Sequence, residues 1–297
     1  MQTMRGSVDL DAESSHRDRI DAFLSVSGNL RPPFAVVDLE AVAARYLALT
    51  ASLPGVAVRF AVRTDPSAEV LELLARLGAG FEVHAATELD ACLDAGIDPA
   101  AISFDATRAL AGASGRAQRL GVSRFTVSAA SELQALAHRV PGATVALRTG
   151  HPAHPAVAGL LSRAAGWGLR VGLAVDQGRG RPGWDAALAD AAVCHAGLRA
   201  DGLEPAVLDL VGPLGETGVL RDALDEQLPP RPPPVVTVVV GRSLLSGTAV
   251  LRTAAVGNGG SPGSDDRTDD VRRHVDLWGP VIGRSQQHVP TYYLGIG

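Results

Sequence analysis

The chain has 297 residues, of which 46% are hydrophobic, and its formal net charge is -5 at pH 7. This length allows a large buried core, and the mild acidity argues against nucleic acid or an anionic membrane as a partner. All 27 basic side chains are arginine, so the chain contains no lysine.

No targeting or membrane segment is evident from the residue pattern. No apolar run reaches the roughly 18 residues that a membrane span needs, and the N-terminal residues lack the apolar centre of a signal peptide. The sequence therefore predicts a soluble, cytoplasmic protein. Its two cysteines, Cys92 and Cys194, imply no disulfide framework and are predicted to be buried on helices.

Short apolar runs alternate with segments of helical periodicity along most of the chain. The predicted strands cover residues 34–38, 56–62, 81–83, 102–104, 124–127, 144–148, 170–174 and 206–210. Parallel strands that are joined by helices at this spacing predict an α/β protein with a (β/α)₈ TIM barrel, and a doubly wound open sheet is the alternative. The number of predicted strands favours the closed barrel.

The character of the sequence changes at residues 228–234, which are rich in proline and indicate a stiff linker. Beyond this linker, β-prone runs cover residues 235–240, 247–256, 271–278 and 290–294. We therefore predict three parts: residues 1–33 as an N-terminal segment that contributes to a β region, residues 34–227 as the barrel, and residues 228–297 as a small, shortened C-terminal β domain.

Several short motifs occur in an order that is typical of one enzyme family. They are Phe60-Ala61-Val62-Arg63, Leu77-Gly78-Ala79-Gly80-Phe81-Glu82, Ala86-Thr87-Glu88-Leu89, Gly241-Arg242 and Leu277-Trp278-Gly279-Pro280. This order resembles that of the ornithine/diaminopimelate/arginine decarboxylase family over about residues 33–297. The resemblance implies a fold type III barrel of the alanine-racemase type, a β domain, and the cofactor pyridoxal phosphate (PLP).

The resemblance also assigns roles that the residues of this chain do not fill. The position of the lysine that carries PLP is Arg63, and arginine cannot form a Schiff base. The position of the carboxylate that pairs with the pyridine nitrogen is Val239, and that of the stacking histidine is Asp176. The phosphate-binding glycine triplet reads Val211-Gly212-Pro213, and the cysteine position is Ile282. The chain therefore resembles a degenerate member, in which no covalent cofactor is expected and PLP binding is doubtful.

The motifs yield two sets of candidate site residues, and none of these residues is assigned a definite catalytic role. The catalytic candidates are Arg63, Glu82, His84 and Asp176; the ligand-binding candidates are Arg63, Glu88, Gly178, Arg179, Gly180, Asp209, Gly212 and Arg242.

Each candidate also has a structural interpretation. On that interpretation Arg63 pairs with Glu82 or Glu88 in the barrel mouth, Asp176 and Arg179 pair with each other or with solvent, and Asp209 caps the turn after its strand. No metal site is predicted, because the spacing of His151 and His154 is not completed by a nearby carboxylate or thiol cluster.

Three functions remain open at this point. The first is a non-catalytic partner that regulates a related decarboxylase, as a homodimer or a heterodimer. The second is a cofactor-independent biosynthetic enzyme that acts on a small acidic or zwitterionic, amino-acid-like substrate. The third is a residual decarboxylase with loosely bound PLP.

Overall fold

The structure is a computed structural model that describes residues 10–28, 30–31, 34–107, 113–178, 183–228, 234–252 and 290–295. It divides into two compact units. One unit comprises residues 1–45 and 242–297, and the other comprises residues 46–241.

The larger unit contains a closed barrel of eight parallel strands, which confirms the predicted (β/α)₈ fold. Its strands are β2 (Ala57–Ala61), β3 (Gly80–Val83), β4 (Ile102–Asp105), β5 (Arg124–Val127), β6 (Thr144–Thr149), β7 (Arg170–Asp176), β8 (Val207–Val211) and β9 (Val235–Val240). Strand β9 pairs with both β8 and β2 and closes the barrel.

Two strand placements from the sequence are wrong. The strand β1 (Phe34–Asp38) lies outside the barrel, and Val235–Val240, which we assigned to the C-terminal domain, is the last barrel strand. The predicted barrel bounds of 34–227 therefore need correction, because the barrel strands run from Ala57 to Val240. Both strands are apolar and mostly buried, so their composition does not reveal which sheet each joins.

Helices alternate with the barrel strands, as the sequence periodicity predicts. The helices are α1 (Leu10–Val26), α2 (Leu39–Ser52), α3 (Ala68–Arg76), α4 (Ala86–Asp94), α5 (Ala113–Arg119), α6 (Ala130–Arg139), α7 (Pro155–Gly166), α8 (Trp184–Ala200), α9 (Thr217–Gln227) and α10 (Arg242–Leu245). Short 3₁₀ turns cover Val62–Thr64 and Pro99–Ala101. Within the described ranges, no helix is sufficiently long and apolar to span a bilayer.

The smaller unit contains a three-stranded sheet in the order β10–β1–β11, with β10 at Ala249–Arg252 and β11 at Thr291–Leu294. Strand β1 is antiparallel to β10 and parallel to β11. Its last residue, Asp38, is fully buried and contacts His16 and Arg19 of α1 at 3.0 and 2.7 Å. The predicted β run at 271–278 lies outside the described residues.

Candidate functional site

Charged side chains gather at the carboxyl ends of neighbouring barrel strands. Glu82 lies in β3, His84 directly follows that strand, Asp105 is the last residue of β4, and Arg148 lies near the end of β6. Glu88 joins them from the first turn of α4. Active sites of parallel barrels lie at this end of the strands, and we name these five residues the carboxyl-end cluster.

His84 lies at the centre of the carboxyl-end cluster. Its Nε2 atom is 3.0 Å from Asp105 Oδ2 and 3.6 Å from Glu82 Oε1, while its Nδ1 atom is 3.7 Å from Glu88 Oε2. The same Glu88 oxygen accepts a hydrogen bond of 2.7 Å from the backbone N–H of His84. Arg148 Nη2 lies 2.8 Å from Asp105 Oδ2 and 3.7 Å from Glu82 Oε2. Three carboxylates therefore surround one imidazole and one guanidinium.

Burial and charge shift the pKa values within the carboxyl-end cluster. Burial alone would lower the pKa of His84, but the contacts with Asp105 and Glu88 outweigh it and raise the pKa to about 9. Burial alone would raise the pKa of Asp105, but the contacts with His84 and Arg148 lower it to about 2. Burial raises the pKa of Glu82, against the opposing charges of Arg148 and His84.

A second group of charges lies inside the barrel. Arg124, the first residue of β5, forms an ion pair with Asp209 of β8 and donates a hydrogen bond of 3.1 Å to Thr237 Oγ1 of β9. Arg59 of β2 donates a hydrogen bond of 3.0 Å to the carbonyl oxygen of Ala101. Burial, reinforced by the positive charge of Arg124, lowers the pKa of Arg59 to about 10. Asp209 is therefore held by an arginine and does not cap the turn after its strand, which corrects that interpretation.

The loop that follows β8 packs against its own neighbours. Gly212 has a φ of 135°, and a Cβ atom there would lie 2.7 Å from the carbonyl oxygen of Gln177. The indole N–H of Trp184 donates to the carbonyl oxygen of Pro213 at 3.1 Å. The close approach to Gln177 is sufficient to explain the glycine at position 212.

Arg63 does not form the predicted pair with Glu82 or Glu88. It is exposed in the 3₁₀ turn after β2, and among the described residues these carboxylates are instead contacted by Arg148 and His84. The guanidinium of Arg148 reaches Glu82 from β6, which the sequence alone did not indicate.

The remaining predicted site residues are distributed as follows. Asp176 is half-buried at the end of β7, and the exposed Gly178 follows it. Arg179 and Gly180 lie outside the described residues, so the predicted pair of Asp176 with Arg179 stays a prediction. Arg242 is exposed at the start of α10, in the smaller unit.

Sequence reasoning missed Asp105, Arg148 and Arg124, which contact the residues that it did select. A usable signal was present, because each is the single charged residue of a short strand. Charged residues in such runs are rarely buried without a partner.

Part of the chain is similar in sequence to known decarboxylases. Residues 39–163 match the family model described as the pyridoxal binding domain of pyridoxal-dependent decarboxylases. The lysine/ornithine decarboxylase of Selenomonas ruminantium is 34% identical over 116 residues, which are 39% of this chain and 30% of that protein. The antizyme inhibitor 2 of Xenopus laevis is 31% identical over 118 residues, which are 40% of this chain and 26% of that protein.

Solved structures share the barrel as well. The arginine decarboxylase of Paramecium bursaria Chlorella virus superposes with a TM-score of 0.72 at 19% identity, over 80% of this chain and 71% of that one. The curated relatives above are matched over less than a third of their own length.

The closed parallel barrel is the fold that this chain has in common with the solved decarboxylase. Over residues 39–163 the chain is similar in sequence to PLP-dependent decarboxylases, and it shares the barrel fold of their solved structures.

Proposed function

We propose that this chain forms no Schiff base with PLP and acts by binding, as a non-catalytic partner of a related decarboxylase. The observation that carries the proposal is the absence of lysine from all 297 residues, with Arg63 just after β2. Since a guanidinium stays protonated and is no substitute for a nucleophilic amine, no residue of the chain can supply a lysine-type internal aldimine.

Other residues also fit the cofactor poorly. Val239 is an apolar, 7% exposed residue of β9 and cannot pair with a pyridine nitrogen. Asp176, at the end of β7, has no aromatic face to stack on a ring. Pro213 offers no backbone N–H to a phosphate. The polar groups of the barrel also contact one another, since Asp209 pairs with Arg124.

The proposed role as a non-catalytic binding partner is compatible with the names of the curated relatives. Most of the named relatives are decarboxylases, yet one of them is named an inhibitor, antizyme inhibitor 2 of Xenopus laevis. A protein similar to this chain over 118 residues thus has a name that denotes regulation. The family resemblance implies dimers, so a copy of this chain and a copy of a related decarboxylase are the partners to test.

The first experiment titrates PLP into the purified chain and records its visible absorbance. We expect no band of a protein-bound imine, and no cofactor retained after dialysis. Arg63→Lys is the matched variant, because it returns an amine to the same position. An imine band in the wild-type chain would contradict the proposed loss of Schiff-base chemistry.

The second experiment tests the partner role separately. The chain is mixed with a related decarboxylase, and the size of the complex and the decarboxylase activity are measured. We expect a mixed oligomer and a changed activity. If the chain neither self-associates nor binds the decarboxylase, the partner role is wrong, whatever the result of the PLP titration.

A second candidate function is a cofactor-independent enzyme that acts on a small acidic or zwitterionic substrate. The observation that favours it is the histidine at the centre of the carboxyl-end cluster, in contact with Asp105 at 3.0 Å. A panel of amino acids and dicarboxylates is screened by calorimetry against the wild-type chain, Arg63→Ala and His84→Gln. A ligand that binds all three proteins equally would count against this candidate.

A further inference from the structure

We propose that Glu82, His84 and Asp105 form a binding site for one divalent transition-metal ion, at the carboxyl end of β3 and β4. The ligand atoms are Glu82 Oε1, His84 Nε2 and Asp105 Oδ2. One potential ligand atom from each residue lies within 4.8 Å of the other two. This inference goes beyond the proposed binding role and does not depend on it.

The separations of the ligand atoms suit a shared metal ion. Two ligands that each lie about 2.1 Å from a metal are about 3.0 Å apart at a right angle and about 3.4 Å apart at a tetrahedral angle. His84 Nε2 lies 3.0 Å from Asp105 Oδ2 and 3.6 Å from Glu82 Oε1. One ion can therefore contact all three atoms after only small side-chain movements.

A second observation that supports the metal site is the poor hydrogen-bond alignment of these buried atoms. Asp105 is fully buried, yet among the described residues its Oδ2 atom accepts no aligned hydrogen bond, and neither ring nitrogen of His84 has one. Contacts of 3.0 Å or less without hydrogen-bond alignment leave the lone pairs of Asp105 Oδ2 without a directed partner. Buried polar atoms of this kind call for a ligand that satisfies them.

Neighbouring groups hold two of the ligands in place. Asp105 Oδ1 accepts a hydrogen bond of 2.9 Å from the backbone N–H of Thr107, which directs Oδ2 towards His84. Glu88 Oε2 lies 3.7 Å from His84 Nδ1, on the side of the ring away from Asp105. A carboxylate behind a histidine is the usual arrangement that orients an imidazole towards a metal. Glu88 is therefore assigned as a positioning residue.

Charge balance identifies the ion as a dication. The three carboxylates of the carboxyl-end cluster carry three negative charges, and Arg148 neutralises one of them. His84 releases its proton when it ligates the ion, which leaves two negative charges for the ion to balance. Arg148 Nη2 competes for Asp105 Oδ2 at 2.8 Å and has to move when the ion binds. Its contact with Glu82 involves Oε2, the oxygen that the ion does not use.

One imidazole and two carboxylates suit Zn²⁺, Mn²⁺, Fe²⁺ or Co²⁺ better than Mg²⁺ or Ca²⁺, which prefer oxygen ligands alone. The test uses the full chain after chelator treatment and desalting. Zn²⁺ binding is measured by calorimetry, and Co²⁺ binding by its visible absorbance. We expect one ion per chain and a Co²⁺ spectrum with nitrogen and oxygen ligation.

Four variants locate the ion. His84→Gln should weaken binding about 100-fold or more, and Glu88→Gln about tenfold, as expected for a ligand and for a positioning residue. Arg148→Met should tighten binding about tenfold, because it removes a competing cation. His151→Ala is the control, since His151 is exposed and outside the carboxyl-end cluster. Circular dichroism establishes that each variant is folded.

Four results would overturn the proposal. The first three are failure of the wild-type chain to bind Zn²⁺ or Co²⁺, binding that His84→Gln leaves unchanged, and binding that is no tighter in Arg148→Met. Loss of binding in His151→Ala would instead place the ion on the surface and would equally refute the site.

Discussion

The ion pair of Arg124 with Asp209 gives the sharpest test of how the barrel interior is built. Asp209→Asn keeps the shape of the side chain but removes its charge, and it leaves the Arg124 guanidinium buried beside Thr237. The side chains of Arg124 and Asp209 are only 11% and 4% exposed. Removing one partner of a buried ion pair costs about 3–5 kcal/mol, because the other charge stays uncompensated. The nearby positive charge of Arg59 adds to this cost.

Urea unfolding measures this loss, and thermal unfolding provides a second readout. For a barrel unit of this size, a loss of 3–5 kcal/mol corresponds to a decrease of about 6–20 °C in Tm. Arg124→Met with Asp209→Leu is the matched double variant. It removes both charges. Its free energy of unfolding should lie within about 1 kcal/mol of the wild-type value or exceed it. The double-mutant cycle then isolates the coupling between the two side chains.

The stability of Asp209→Asn also shows whether Asp209 has a structural role in the barrel. A loss smaller than about 1 kcal/mol in Asp209→Asn would refute the reasoning, because such a small loss is typical of an exposed ion pair. Asp209 would then be free to bind a ligand, as the family resemblance implies.

Two further predictions concern single residues of the larger unit. His195 is 1% exposed, and neither ring nitrogen has a hydrogen-bond partner in the part of the chain that the structure describes. Burial and the charge of Arg199 lower its pKa to about 4. The unfolded histidine, with a pKa of about 6.5, binds a proton more readily, so the free energy of unfolding should fall by about 2–3 kcal/mol between pH 7.5 and 4.5. His195→Leu should abolish this part of the pH dependence in urea titrations, and an unchanged slope would contradict it. A Cβ atom on Gly172 would lie 2.1 Å from the carbonyl oxygen of Val207. Gly172→Ala should therefore cost about 3 kcal/mol or more in thermal unfolding, whereas Gly159→Ala, with open space around it, should be neutral or stabilising; equal effects would refute the packing argument.

The alternation of strands and helices was predictable because each element carries its own periodicity. The sequence did not, however, predict the sheet to which each buried strand belongs. Phe34–Asp38 and Val235–Val240 are both short apolar runs, but the first pairs with β10 and β11 while the second closes the barrel. The proline-rich residues 228–234 precede Val235 and suggested a domain boundary there. Strand pairing is decided by contacts between distant segments, which local pattern does not encode.

The candidate site was predictable to a similar extent. Glu82, His84 and Glu88 lie close together in sequence, near the end of one strand, and the structure brings them together. Asp105 and Arg148 come from other strands and reach the same point only when the barrel closes. The predicted pairing of Arg63 failed for this reason, because a more distant arginine occupies the position beside Glu82.

Charge at the carboxyl end of the barrel connects the two proposals. Even with His84 protonated, the three carboxylates exceed the two cations of the carboxyl-end cluster by one charge, and Asp176 lies at the end of another strand of the same barrel. A negative surplus repels the phosphate of PLP and attracts a cation. We propose that this charge balance favours a divalent ion over a ligand that carries a phosphate. If the chain bound PLP tightly and failed to bind metal, both conclusions drawn from this charge balance would fail together.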